Sequence, residues 1–292
     1  MKKIISFIIS AAIIFGIYTC AAADNNSSRA VIGADITSEQ KQLVYQAFGV
    51  PQGSVTELTL TNTEERQYLE GYVDSAVIGT KSISCVYVEL LDQGSGLNIT
   101  TSNITWGGAD MYTAALDTAG ITDAKIIVAA PFPVSGTAAL AGVYKAYEDI
   151  TGRSIDSSAK DAGTQELTIT GELAQDIGSY DSASIVQELK LMLNETQKMS
   201  DEELRNTIDS IASRYGVSLT ETQIGQLVSL CRTLEKLDPD ALKDKVSDVQ
   251  GTLSKMSEAK DQVADFFQTL KNLVESLQGF IEKIQSFLDN FK

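Results

Sequence analysis

The first half of the chain carries two different hydrophobic periods. Strands are indicated by short runs of β-forming residues, which alternate apolar and polar over 55–61 and are mostly apolar over 124–130, and apolar residues three or four apart predict helices between them. Strands are predicted over 30–34, 55–61, 83–91, 97–104 and 124–130. Helices are predicted over 37–48, 64–69, 110–119 and 137–148. This interleaved order predicts a mixed β-sheet with helices packed on it.

Short-range signals mark several ends of these elements. Asn62 is placed to cap the second helix, and Ser135 to cap the helix from residue 137. Residues 92–96, Asp-Gln-Gly-Ser-Gly, have the composition of a hairpin connection between the strands on either side. Pro131 and Pro133 predict the end of the last strand, because proline cannot donate to a strand ladder.

After residue 151 the strand signals fade and every predicted element is a helix. Capping signals open several of these helices: Ser200 with Glu203, Thr220 with Gln223, and Asp238 before Pro239. A capping box is also predicted at Thr37 with Gln40. The predicted fold class is therefore α+β, with a mixed β-sheet and packed helices over 24–150 and an all-helical part over 151–292.

The longest periodic segment covers residues 253–291, where apolar residues recur every three or four positions. As one helix it would be about 60 Å long. Its apolar face is predicted to be an interaction surface, with aromatic members Phe266, Phe267, Phe280, Phe287 and Phe291. Three alternatives remain for this face: packing on the other helices, a coiled coil with a second copy of the chain, as an oligomer, or with a partner protein, and contact with a membrane surface.

The N-terminus has the three-part pattern of a secretory signal peptide. Two lysines precede an uncharged apolar stretch over 4–17, and small residues follow before the chain turns polar. We expect cleavage after Ala23, which would leave a secreted or envelope-associated protein outside the cytoplasm. Two alternatives remain, an uncleaved membrane anchor over 4–23 and a lipoprotein with a lipidated Cys20.

The amino-acid composition excludes several kinds of catalysis, metal site and binding partner. The 292 residues include no histidine, which excludes histidine-dependent nucleophilic catalysis and histidine-ligated zinc. The formal net charge of -16 argues against a nucleic acid partner, whose phosphates require a basic surface. No cysteine spacing fits a metal site, and we expect neither a metal nor a cofactor. Cys85 and Cys231 are interpreted as buried free thiols, with a disulfide between them as the alternative.

Two places are candidates for ligand binding. Trp106 precedes a glycine pair on a loop, where an indole can form a platform for a sugar or peptide, or else pack over a sheet edge. Ser135, Gly136 and Thr137 open a helix, where backbone amides can hold an anion or simply form a cap. Dense carboxylates around the second helix could bind calcium or act as acids and bases, or merely favour the helix dipole: Glu64, Glu65, Glu70 and Asp74.

Several short segments are shared with a known family. They include Thr59-Leu60-Thr61-Asn62-Thr63-Glu64-Glu65, Gly94-Ser95-Gly96-Leu97-Asn98, and Ala130-Pro131-Phe132 with the run from Val134 to Leu140. Together they resemble the exported bacterial proteins of domain of unknown function 1002, the YpuA-like proteins of Gram-positive bacteria. The resemblance implies an extracytoplasmic location and a shared fold, and it carries no catalytic residue over to this chain.

These observations lead to one functional hypothesis with two alternatives. We expect an envelope protein whose α/β part binds a protein or cell-wall ligand and which acts as an interaction module rather than an enzyme. The first alternative is a hydrolase that cleaves wall polymer or peptide with carboxylates alone. The second is a membrane-surface protein held by the amphipathic segment 253–291.

Overall fold

The computed structural model describes residues 27–106 and 108–242, so the predicted signal peptide and the interaction face in 253–291 lie outside the described residues. The strands are β1 (Ser28–Gly33), β2 (Thr56–Leu60), β3 (Cys85–Leu90), β4 (Leu97–Ile104) and β5 (Ala124–Val134). The helices are α1 (Ser38–Phe48), α2 (Asn62–Leu69), α3 (Ser75–Ile78), α4 (Ala109–Thr118), α5 (Thr137–Thr151), α6 (Ser157–Ile177), α7 (Ser179–Leu191), α8 (Leu193–Thr196), α9 (Asp201–Arg214) and α10 (Glu221–Leu234).

The five strands form one mixed sheet in the order β2-β1-β3-β5-β4. β1 is parallel to β2 and β4 is parallel to β5, whereas β3 is antiparallel to both of its neighbours, β1 and β5. Four strands therefore run in the same direction, and their C-terminal ends meet at one edge of the sheet. The predicted α+β class, a mixed sheet with packed helices followed by helices, is confirmed.

Successive residues of the inner strands face opposite sides of the sheet, and each side is covered by different helices. Ile32 and Tyr87 lie on the side covered by α1, in a core that includes Phe48. Val31 and Val86, one residue away in each strand, lie on the other side, in a larger core with α4 and α5. Strands buried on both faces read as nearly continuous apolar runs, as β3 and β5 do.

The predicted hairpin over 92–96 is wrong, because β5 lies between β3 and β4 and pairs with both. The loop is instead held by a residue further along the chain. The carboxylate of Asp123 accepts hydrogen bonds from the backbone amides of Gly94 and Gly96, both at 2.9 Å. The glycine-rich segment thus forms a turn, but its turn chemistry does not determine which strands pair.

The prolines do not end β5, which continues past Pro131 and Pro133 to Val134. In this stretch β4 supplies the donors. Asn103, whose φ of +59° marks a bulge, donates its side-chain amide to the carbonyl of Ala130 at 2.8 Å. The next contact is from the backbone amide of Thr105 to the carbonyl of Val134, at 2.9 Å. Both of these contacts use carbonyl acceptors of β5 and need no N–H from Pro131 or Pro133, which is compatible with prolines at a bulged strand end.

The predicted capping boxes are observed, whereas the predicted single-residue caps Asn62 and Ser135 are each displaced by one residue. The capping boxes opened by Thr37, Ser200 and Thr220 are confirmed. The expected cap at Asn62 is wrong, since Thr61 caps α2 and its hydroxyl accepts from the amide of Glu64 at 3.2 Å. Asn62 is the first residue inside the helix, because the Thr61–Glu64 spacing completes a capping box.

Every described element after residue 151 is helical, as predicted. Helix α6 connects this part to the sheet by packing along α4. The two backbones approach closely at Gly163, where an added Cβ would lie 2.5 Å from the carbonyl oxygen of Ala115. Helices α7 and α10 pack against α6, and α9 packs against α7 and α10, around a second core that includes Leu189, Ile208 and Leu227.

Candidate functional site

The residues singled out as ligand-binding lie together at the C-terminal edge of the parallel strands. Trp106 comes two residues after β4, Ser135 and Gly136 follow β5, and Thr137 begins α5. Sheets that carry parallel strands and covering helices bind ligands beyond the carboxyl ends of those strands. The structure thus brings the sequence candidates to the edge at which such folds place their sites.

A pocket of about 240 Å³ opens at this edge, between the end of β4, the start of α4 and the C-terminal half of α6. Nine residues line it: Thr101, Ile104, Thr105, Trp106, Gly108, Met111, Gly171, Ala174 and Gln175. None of these nine side chains is ionisable. The lining combines two threonines and one glutamine with an indole and apolar groups, a mixture typical of small-ligand sites. The hydroxyl of Thr105 donates to the carbonyl of Val134 at 3.0 Å.

Trp106 forms part of the wall of this pocket instead of an exposed platform. Its side chain is 7% exposed, and an added Cβ at Gly171 would lie 3.2 Å from ring atom Cε2. The absence of a side chain at Gly171 is what allows α6 to lie against the indole. The Nε1–H group of Trp106 is buried and has no hydrogen-bond partner among the residues that the structure describes. Ligand binding by Trp106 stays a prediction.

The start of α5 has a different geometry from the one expected. Gly136, not Ser135, is the N-cap, and its φ of +95° places it in the left-handed region that favours glycine. An added Cβ there would lie 2.7 Å from Cγ2 of Ile104. The expected cap at Ser135 is therefore wrong, because the left-handed turn at Gly136 separates that side chain from the first turn of amides. The Ser135 hydroxyl lies 3.2 Å from the hydroxyl of Thr137 instead.

The hydroxyl of Thr137 forms a hydrogen bond to another side chain of the protein. Its hydroxyl donates to Oε1 of Glu65 at 2.7 Å, and Nδ2 of Asn62 donates to the other carboxyl oxygen at 3.3 Å. Glu65 is completely buried, and burial raises its pKa above the ordinary value, with these hydrogen bonds acting in the opposite direction. The hydroxyl expected to contact a ligand anion thus binds a carboxyl group of the chain.

The sequence did not separate Glu65 from its neighbour Glu64. Glu64 lies at the surface, where Nζ of Lys145 donates to its Oε1 at 2.6 Å and holds the pKa of that carboxyl below its ordinary value. Glu65 and the buried Leu69 are four residues apart and share the inner face of α2. That spacing is the signal that could have identified Glu65 as a buried carboxyl.

A second buried carboxyl was also missed. Glu166 of α6 accepts from Nζ of Lys190 in α7 at 3.1 Å and from the hydroxyl of Thr118 in α4. Burial raises the pKa of Glu166, and the nearby Lys190 opposes that effect. Both charged side chains are excluded from solvent. The cluster joins three packed helices, and none of its residues lines the pocket.

Two further properties concern only the described part of the chain. No group of three or more His, Cys, Asp or Glu side chains there is arranged to hold a metal ion. No helix within residues 27–106 and 108–242 is both long and apolar enough to cross a membrane.

Comparison with known proteins gives one consistent result. A family model described as "Protein of unknown function (DUF1002)" matches residues 32–256. The chain is also 34% identical over 289 residues to the "Uncharacterized protein YpuA" of Bacillus subtilis (strain 168), covering 95% of this chain and 99% of that protein. No solved structure matches significantly. The match over most of the chain shows that the protein belongs to the DUF1002 family of proteins of unknown function.

Proposed function

We propose that this chain is an exported protein of the bacterial envelope that binds an uncharged ligand group in the pocket beside Trp106. The observation that carries the proposal is the composition of the pocket lining, which combines an indole and apolar groups with the uncharged polar residues Thr101, Thr105 and Gln175. Such a lining can orient a neutral group by hydrogen bonds while burying its apolar part.

The same lining supports binding over catalysis. General acid–base catalysis requires a titratable side chain within hydrogen-bond reach of the reacting group, and the nine lining residues supply none. The two buried carboxyls described above, Glu65 and Glu166, are engaged by Thr137 and by Lys190 respectively. A hydrolase that used either of these two carboxyls would need to release it from its partner towards a substrate.

The extracytoplasmic part of the proposal is supported by the signal-like N-terminus. The acidic composition, with a formal net charge of -16, is compatible with a protein that must stay dispersed outside the cell. A fusion of residues 1–40 to a reporter that is active only after export tests this part. Reporter activity supports export, and its retention inside the cell contradicts the proposed location.

Binding can be measured through a signal that arises only at the pocket. Trp106 is the single tryptophan of the chain, so tryptophan emission reports on the pocket wall alone. We expect a saturable change in emission when the mature chain from Asp24 is titrated with neutral N-acetylhexosamine oligosaccharides or with capped neutral peptides. Release of a cleaved product during the titration would favour the hydrolase instead.

Two matched variants give the control. Gln175→Ala removes the amide in the lining and should weaken binding about tenfold, the effect of losing one good hydrogen bond. Gln165→Ala, on the same helix but bonded to Ser229 outside the pocket, should leave affinity unchanged. Equal affinities for the two variants, or no saturable change with any neutral probe at millimolar concentration, contradict binding in this pocket.

A further inference from the structure

We propose that the ligand is an extended peptide segment that adds to the sheet as a sixth strand along β4 and places one of its side chains in the Trp106 pocket. This inference rests on the proposed function and adds the class of ligand to it. It joins two observations, the unpaired edge of the sheet and the position of the pocket at the end of that edge.

β4 is an edge strand whose outer side is not paired within the described residues. The sheet order places it last, and β5 is its one neighbour there. It is eight residues long, against five for β2 at the opposite edge. Every second residue of an edge strand directs its backbone N–H and C=O away from the sheet, and these groups are a template for a further strand.

The strand also lacks the features that usually prevent such pairing. Proteins protect sheet edges with charged side chains, prolines or an early bulge. Residues 97–105 read Leu-Asn-Ile-Thr-Thr-Ser-Asn-Ile-Thr, with no charge and no proline, and the bulge at Asn103 comes only near the end. Five of these nine residues are β-branched isoleucines and threonines, a composition that favours strand pairing.

The opposite edge provides an internal comparison. β2 carries Glu57, which forms an ion pair with Lys41 and accepts from the hydroxyl of Tyr45 at 2.9 Å. The ammonium of Lys145 donates to the backbone carbonyl of Thr59 at 2.7 Å and so occupies one of the acceptors of that strand. The chain thus protects the β2 edge with charges and leaves the β4 edge uncharged.

The pocket is placed to receive a side chain from a strand bound on β4. Thr101 and Ile104 belong to β4 and line the pocket, so a neighbouring strand would pass its mouth. On the other face of β4, Asn98, Thr100 and Ser102 are exposed and uncharged. The segment that fits is therefore neutral, with an apolar residue on the pocket side and polar residues on the solvent side. Acidic segments are disfavoured by the charge of the chain.

The test uses a defined probe, the acetylated and amidated heptapeptide Thr-Val-Thr-Leu-Thr-Val-Thr, with the mature chain from Asp24. We expect slower hydrogen exchange of backbone amides within 97–105 together with a saturable change in Trp106 emission. The same peptide with proline in place of its central leucine should show neither effect, because proline lacks the N–H that the ladder needs.

Two variants test whether the peptide binds along β4. Thr100→Lys introduces a charge on the proposed edge and should weaken peptide binding at least tenfold. Thr56→Lys introduces the same charge on β2 and should leave the affinity unchanged. Denaturation curves for both proteins verify that they are folded, and equal peptide affinities in the two folded variants overturn the proposal.

The remaining outcomes separate this inference from the function on which it rests. A change in Trp106 emission with oligosaccharide but not with the heptapeptide overturns strand addition and leaves pocket binding in place. Protection of 97–105 with no change in emission contradicts the placement of a peptide side chain in the pocket and overturns this inference, and only the further absence of a response to oligosaccharide contradicts the proposed function. Protection of 97–105 without peptide, with a dimer in sedimentation equilibrium, overturns the peptide ligand, since a second copy would then pair along β4.

Discussion

Lys190 and Glu166 form an ion pair that is completely shielded from solvent, with Nζ 3.1 Å from Oε1 and both side chains 0% exposed. The same ammonium donates to the hydroxyl of Thr118 at 2.7 Å and to the carbonyl of Ala114 at 3.3 Å. One charged group thereby connects α4, α6 and α7. Removing two ions from water costs several kcal/mol for each, and the pair persists because hydrogen bonds from three helices offset that cost.

Removing one member of the pair should be far more damaging than removing both. Lys190→Met leaves Glu166 buried without its partner and should lower the free energy of unfolding by about 3–5 kcal/mol. The double variant Lys190→Met with Glu166→Leu removes both charges and should recover most of this loss. Urea unfolding followed by circular dichroism measures the difference. A double variant no more stable than the single one would show that the pair does not act as a coupled unit.

The close approach of α6 to α4 should depend on one glycine. Gly163→Ala would place Cβ 2.5 Å from the carbonyl oxygen of Ala115, a backbone atom that cannot move without displacing a helix. We expect a loss of about 1–3 kcal/mol of stability, as for other overpacked interiors. Gly225→Ala in α10 is the matched control, because its Cβ would meet only Nη2 of Arg205 at 3.8 Å.

The control should change stability in the opposite direction. Alanine is a better helix former than glycine, so Gly225→Ala should gain up to about 1 kcal/mol. Thermal unfolding of both variants beside the parent chain gives the comparison. Two variants that shift in the same direction would indicate that helix propensity, and not contact between α6 and α4, determines the result at Gly163.

The neighbours Glu65 and Glu64 should give opposite pH dependences. Burial raises the pKa of Glu65, so the folded chain keeps this proton to a higher pH than the unfolded chain does. Its contribution to stability is present below the ordinary value of 4.5 and is lost as pH rises through the folded pKa. Glu65→Gln stays neutral and can still accept from Thr137, so its stability relative to the parent should increase with pH in that window.

The contribution of Glu64 to stability has the opposite pH dependence, because its pKa is lowered, chiefly by the hydrogen bond from Lys145. Its contribution is present above the ordinary value and disappears as pH falls through the folded pKa. Glu64→Gln should therefore be less stable than the parent at neutral pH and approach it in acid. Urea midpoints collected between about pH 3 and 8 for the three proteins test both signs. A parallel pH profile for the two variants would contradict the different environments assigned to these carboxyls.

The features that the sequence predicted correctly are those set by neighbouring residues. The capping boxes at Thr37 and Ser200 depend on a spacing of three positions, which the chain displays directly. The pairing of β4 with β5 depends on residues about 27 positions apart, and the turn at 92–96 is held by Asp123 from beyond β4. No local pattern contains that information.

The candidate site also combines features that local sequence displays with contacts between residues far apart in the chain. A loop tryptophan at position 106 was visible in the sequence, but its pocket is closed by Gly171, 65 residues later, on a helix whose packing the periodicity does not specify. The burial of Glu65 and the pairing of Glu166 with Lys190 arise in the same way, from contacts between elements. The sequence identified Trp106 as a candidate, but it indicated neither the helix that closes the pocket nor the burial of Glu65 and Glu166 elsewhere.

The two cysteines of the described chain should be unreactive until the protein unfolds. Cys85 lies under α1 and Cys231 lies in the core around α10, and the structure confirms both as buried free thiols. Burial raises the pKa of each thiol to about 12. At pH 8 the thiolate fraction is then about 10⁻⁴, roughly a thousandfold below that of an exposed cysteine, and the thiolate is the reactive form.

We therefore expect no reaction of the folded mature chain with a thiol reagent at pH 8 and two reactive thiols in urea. A disulfide would instead give none in urea before reduction. The result bears on location as well, because an oxidising compartment would link accessible cysteines. Two thiols that survive in protein recovered from outside the cell would show that separate cores, and not a reducing environment, keep Cys85 and Cys231 apart.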